Sequence, residues 1–173
     1  SVVSQTLAGT YVYTLSSTDA NTCLVSNTIA LAFIANPILS VSDVSICPLK
    51  TGTLSVTGAS SYTWNNSSFG STFSDSPLSN TAYTVKGSAL ACTSIATASI
   101  ILHASPVPVL QTNSPRCEGS SGLISVSGGT GAIWSGPNVF SSNNLSHTLS
   151  SIGLANAGVY STTITSAQGC TAT

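Results

Sequence analysis

Residues 155–170 read ANAGVYSTTITSAQGC, and the phrase has two earlier counterparts: LAGTYVYTLSSTDANTC at 7–23 and SNTAYTVKGSALAC at 79–92. Each carries a tyrosine (Tyr11, Tyr83, Tyr160), a run of β-branched and polar residues, a small-residue turn, and a closing cysteine (Cys23, Cys92, Cys170). Side chains that alternate in character with a period of two belong on a half-buried strand, so each phrase predicts a strand, a tight turn and the start of a second strand. A second landmark recurs as well. SICPLKTGTLSVTG at 45–58 matches SPRCEGSSGLISVSG at 114–128, and SSYTWNNSSFGS at 60–71 matches GAIWSGPNVFSS at 131–142. The same interval separates Cys47 from Cys117 and Trp64 from Trp134.

Recurrence at a fixed period is the signature of a repeat architecture. Three copies of the hairpin with only two of the Cys/Trp half predict three segments: 1–36, the C-terminal part of one repeat; 37–104, a complete repeat; and 105–173, a repeat lacking its last strand. The chain thus reads as a window on a longer array. NPIL and SPVPVL mark the joints, and proline holds such short connections extended. Strands are expected near 38–46, 53–58, 61–66, 69–74, 81–87 and 92–102, and again near 107–113, 122–127, 131–135, 138–141, 146–151 and 158–166. Six or seven short strands in about 70 residues make a small β-sandwich, so the fold class is all-β, built as a tandem array.

Composition narrows the function. Only 4% of the 173 residues are charged and the net charge is −1. A surface that neutralises phosphates needs clustered Lys and Arg, so neither nucleic acid nor polybasic membrane docking is expected. The longest apolar run, IALAFIA at 29–35, is far short of the about 20 residues that span a bilayer as a helix. The five cysteines show no CxxC spacing and no adjacent histidine, so no zinc site is expected. Their wide spacing in a Ser/Thr-rich β chain points instead to disulfides and an oxidising compartment.

LAGTY at 7–11, WSGPN at 134–138, and AGVY at 157–160 with GC at 169–170 resemble the Ig-like/PKD-like repeats of giant cell-surface proteins of Bacteroidetes. SprB-type gliding-motility adhesins of flavobacteria are among them. The resemblance covers the whole chain, with Pro48 after Cys47 as its one departure. It implies small Ig-like sandwiches of Greek-key type and export by type 9 secretion. It also implies an extracellular, cell-surface location, anchored at the outer membrane through other regions. The function it implies is structural: a shaft segment of a filamentous adhesin for attachment and gliding. The partners would be neighbouring repeats of the same chain, with an extracellular surface or polysaccharide bound through other parts of the parent. The alternatives are a glycan-binding β-sandwich module and a spacer of a secreted enzyme.

Individual residues read mainly as scaffold. Trp64 and Trp134 could stack on sugars, but their matched places fit the core tryptophan of an Ig-type strand. Tyr11, Tyr83 and Tyr160 read as core anchors in the manner of a tyrosine corner. His103 and His147 lack acidic or nucleophilic partners, no GxSxG elbow occurs, and the chain is read as no enzyme. Asp19, Asp43, Asp75 and Glu118 are too scattered for calcium, so neither metal nor cofactor is expected. Asn65, Asn66 and Asn144 lie in N-x-S triplets that read as polar turns.

The cysteines Cys23, Cys47, Cys92, Cys117 and Cys170 leave two pairings open. Bridges within repeats, 47–92 and 117–170, would each contribute about 4 kcal/mol by shortening the unfolded chain. Yet Cys47 and Cys92 fall at opposite poles of such a sandwich. A strand of seven residues spans about 23 Å, whereas bridged Cα atoms lie within about 7 Å. The other scheme joins Cys47 to Cys170 across the joint and sends Cys92 upstream and Cys117 downstream; the pole geometry leans towards it.

Overall fold

The computed structural model describes residues 7–173, and nearly all regular structure in it is β. The first two strands, β1 (Gly9–Thr18) and β2 (Leu24–Phe33), form an antiparallel hairpin in one continuous ladder from Gly9↔Phe33 to Thr18↔Leu24. Tyr11 is half-buried, edge-on to Phe33 at 5.7 Å, while Val25 and Ile29 are exposed.

The middle stretch carries β3 (Ser40–Val41), β4 (Val44–Ile46), β5 (Gly52–Thr57), β6 (Ser61–Trp64), β7 (Thr72–Asp75), β8 (Thr81–Ala89) and β9 (Cys92–Leu102). They form two sheets, in orders β3-β5-β7 and β4-β9-β8-β6. In β5, Gly52, Leu54 and Val56 point inward while Thr53, Ser55 and Thr57 face out, the period-two pattern of a strand with one wet face. The strand expected over 38–46 is two strands in different sheets. β3 pairs antiparallel with β5, and β4 pairs parallel with β9. The break falls at Ser42-Asp43, where the Asp43 carboxylate accepts the Ser99 N–H at 2.7 Å. That bond satisfies a backbone donor beside the break, which an apolar residue could not do.

The last stretch carries β10 (Val109–Thr112), β11 (Gly122–Ser127), β12 (Gly131–Gly136), β13 (Phe140–Ser142), β14 (Ser146–Leu149), a 3₁₀ turn (Leu154–Asn156), β15 (Ser161–Thr165) and β16 (Thr171–Ala172). Its sheets run β10-β11-β14 and β13-β12-β15-β16. Among the described residues, no ladder joins the hairpin, the middle strands and the last strands to one another.

Packing groups the chain into two compact units. One holds the residues up to Ser42 with Leu54–Phe73 and Ala82–Ala98; the other holds Asp43–Thr53, Ser74–Thr81 and Ser99–Thr173. In the first, Leu54, Val56 and Phe73 from one sheet share a core with Trp64, Tyr83, Val85 and Ala98 from the other. Phe73 bridges the sheets, its ring 5.3 Å from Trp64 and 4.8 Å from Tyr83. In the second, Ile124 and Val126 of β11 meet Ala132, Trp134 and Ile164 of β12 and β15, with Phe140 and Tyr160 packed against them. Apolar faces of paired sheets meeting over one core make a β-sandwich.

Glycines at matched places set the close approach of the chain at the head of each sandwich. Gly58 has φ +103°, and a Cβ there would sit 1.8 Å from the Ile38 carbonyl oxygen. Gly128 has φ +97°, and its Cβ would sit 2.0 Å from the Val107 carbonyl oxygen. Both the backbone conformation and the space admit only glycine. Gly58→Ala is expected to destabilise the first unit by about 3 kcal/mol, by strain and displacement of the 38–39 backbone. Gly70→Ala, at φ +114° but with open space around it, is expected to cost less, since it bears the conformational strain alone. Urea denaturation of the two variants measures the difference.

Candidate functional site: the Cys47–Cys170 bridge

The cysteines occupy two kinds of turn. Cys47 follows β4 and opens the turn Cys47-Pro48-Leu49-Lys50, in which the Lys50 N–H reaches the Cys47 carbonyl at 3.2 Å. Cys117 opens a turn of the same form, with the Ser120 N–H on the Cys117 carbonyl at 3.2 Å. The third residue of each is left-handed: Leu49 at φ +63° and Gly119 at φ +78°. This is the arrangement of a type II turn.

Cys170 closes the hairpin between β15 and β16. Ser166 N–H donates to the Cys170 carbonyl at 2.8 Å, Gly169 N–H donates to Ser166 at 3.0 Å, and the Cys170 N–H donates to Ser166 Oγ at 3.1 Å. Cys23 repeats this between β1 and β2. Asp19 N–H reaches Cys23 at 3.1 Å, Thr22 N–H reaches Asp19 at 3.0 Å, and the Cys23 N–H reaches Asp19 Oδ1 at 2.9 Å. The left-handed residue is Gly169 in one and Thr22 in the other. Asp and Ser at the first position serve alike because each offers a side-chain oxygen to the backbone N–H groups that follow.

The two turn types meet in a disulfide. Cys47 and Cys170 are bonded, with Cα atoms 5.4 Å apart and a sequence separation of 123. Cys170 is buried at 1% exposure. Pairing within repeats is thereby excluded: Cys92 and Cys117 are free, as is Cys23. Cys23 and Cys117 are exposed, while Cys92 is partly covered and its thiol donates to the Ile34 carbonyl at 3.5 Å. Cys92 therefore lies against the stretch that precedes the middle strands, as Cys170 lies against Cys47.

The candidate tryptophans are buried, and the candidate tyrosines are buried or half-buried. Trp64 and Trp134 are each 2% exposed. Trp64 donates its indole N–H to the Gly70 carbonyl at 3.1 Å and Trp134 to the Asn144 carbonyl at 2.9 Å. Neither presents a ring face to solvent on which a sugar could stack. Tyr11 and Tyr160 donate their hydroxyls to carbonyls four residues upstream, Leu7 at 3.1 Å and Asn156 at 3.0 Å, the bond of a tyrosine corner. Tyr83 is buried between the sheets of the first unit.

The polar candidates are used locally. Asp19 ties a hairpin and Asp43 a strand break, while Asp75 accepts the Ser76 N–H at 2.7 Å. His147 packs edge-on to Phe140 at 4.9 Å. Asn66 accepts from the N–H and hydroxyl of Ser68, which makes its triplet a turn. Among the described residues no three His, Cys, Asp or Glu side chains gather as a metal site, and no helix is long and apolar enough to cross a membrane. No protein-family model matches the chain, and no curated protein matches it.

A bridge across 123 residues removes about 5 kcal/mol of unfolded-chain entropy. Reduction, or Cys47→Ala with Cys170→Ala, is expected to lower the unfolding free energy of the second unit by up to that amount, read by denaturant titration with and without reductant. Leu49 is exposed and left-handed where the matching turn has Gly119. Leu49→Gly is expected to stabilise by about 1 kcal/mol through relief of that conformation, and a thermal melt at fixed redox state checks it.

Proposed function

We propose that this chain is a section of the extracellular shaft of a giant repetitive adhesin, an array of Ig-like sandwiches of Greek-key type. It holds a binding region away from the cell surface during attachment and gliding. The observation that supports this reading best is the bridge between the turn after β4 and the hairpin after β15, repeated in form by the free cysteines. The turn of Cys47 recurs at Cys117 and the hairpin of Cys170 recurs at Cys23. A staple from each repeat to the next would use every one of these positions. The bridge itself fits an oxidising location outside the cytoplasm.

The mechanism is mechanical. Pulling on the chain ends stretches only residues outside the bridged loop, because the disulfide carries force from Cys47 directly to Cys170. Antiparallel ladders and proline-bearing joints stiffen what lies between. A surface with 4% charged residues leaves few sites for salt-dependent attachment along the shaft.

Single-molecule pulling through the two termini tests the reading. With the bridge intact, the fully extended length is expected to be about 400 Å shorter than after reduction, from 123 residues at about 3.3–3.6 Å each. Equal lengths in the two states would remove the mechanical role.

A further inference from the structure

The two sandwiches differ in one strand. In the middle strands, β9 runs from Cys92 to Leu102 and pairs parallel with β4, Val44↔Ile100 through Ile46↔Leu102. Its Ile100 is fully buried, with side-chain atoms 3.0–3.3 Å from where a Gly52 Cβ would stand. Gly52 is bare so that Ile100 can lie on it.

Gly122 holds the matching place in the last strands, at the interval that relates Trp64 to Trp134. There Ile152, from the stretch after β14 and not from a closing strand, lies more loosely against it, 3.5 Å from where a Cβ would stand. The strand that matches β9 is β16, which pairs only Ile164↔Ala172 and Thr165↔Thr171. Residues 114–116, which match β4, stand in no ladder among the described residues. Beside residues 114–116 opens a cavity of about 620 Å³, lined by Gly122, Ile124, Leu149, Ile152 and Tyr160, with Pro115 and Arg116 at its wall. On β15, Thr162 is 5% exposed and its hydroxyl has no hydrogen-bond partner.

We propose that this cavity is the seat of a closing β-strand of the same polypeptide. It would enter antiparallel to β15 and parallel to 114–116, and present small or branched apolar residues inward on alternate positions. The chemistry is that of Ala98-Ser99-Ile100, where Ala98 and Ile100 are buried. A strand satisfies what a small molecule would not. It supplies backbone donors and acceptors along β15 beyond the two residues that β16 pairs, and one branched side chain to the cavity beside Gly122 and Ile152. The inference rests on the internal match of the two sandwiches and not on the shaft reading, so either can fail alone.

The test grafts the sequence of Thr93–Leu102 after Cys170 in place of Thr171–Thr173, in the full chain. The thermal midpoint of the second unit is expected to rise by about 5 °C, and Thr162, Gly122 and Ile152 amides to gain hydrogen-exchange protection. A scrambled graft of the same composition is expected to give no rise. Gly122→Leu, whose Cβ would meet Ile152 at an ordinary 3.5 Å, is expected to fill the seat and abolish the gain in the grafted chain. Three results would overturn the proposal. One is no rise with the graft, and another is an equal rise with the scramble. The third is a dimer of the ungrafted chain in sedimentation that the graft dissolves, which would assign the seat to a second copy.

Discussion

An indole withdrawn from water must still place its one N–H, and both sandwiches are organised around meeting that demand. Trp64 and Trp134 lie on the inward faces of β6 and β12 and fill the space between sheets. Each spends its donor on a loop carbonyl further along the chain: Gly70 between β6 and β7 in one, Asn144 between β13 and β14 in the other. Left unmet, such a buried donor costs about 1–3 kcal/mol. The acceptor stands six residues on in the first case and ten in the second. Connections of different length are therefore tied to the same point of the core. The rest follows from that anchor. Phe73 packs against Trp64 and carries the contact to Tyr83, and Ile164 closes over Trp134 from the neighbouring strand.

Hydroxyls take the place that ion pairs hold on most surfaces. Thr51 meets Ser76 at 2.8 Å and Thr53 meets Ser74 at 2.7 Å, two steps of one ladder between β5 and β7 or their ends. Thr163 meets Thr173 at 3.0 Å in the other sandwich. Cross-strand pairs of this kind contribute about 0.2–1 kcal/mol each. Being uncharged, they are insensitive to the screening that weakens exposed salt bridges. The scarcity of charge in the sequence is thus matched by a different way of pairing strands, at little cost in backbone order.

Much of this was legible in the sequence, for reasons that can be named. The matched hairpins announced themselves because Tyr, alternation, turn and Cys each serve a separate physical need and rarely recur together by chance. The poles of the cysteines could be inferred because a strand is several times longer than a disulfide. Which pairing held could not be settled there. Both schemes use the same turns, and only the placement of Cys170 beside Cys47 distinguishes them. The division of 38–46 into two strands was hidden because both halves are apolar and alternate. The signal was Asp43, an acid inside an apolar run, which reads as a breaker only once its bond to Ser99 is seen. The cavity above Gly122 left no trace in any residue's identity, since it consists of a side chain that is not there. The nearest hint was a glycine shared by two strands, covered by Ile100 of β9 in one and by Ile152 of a loop in the other.

The bridge has a consequence for damage. Proteases cut at exposed turns. A single cut anywhere between Cys47 and Cys170 opens the backbone yet leaves both pieces covalently joined. Cys117 falls inside that loop and is free and exposed. Within the Cys47–Cys170 ring, severing the covalent connection takes two breaks where one would otherwise suffice.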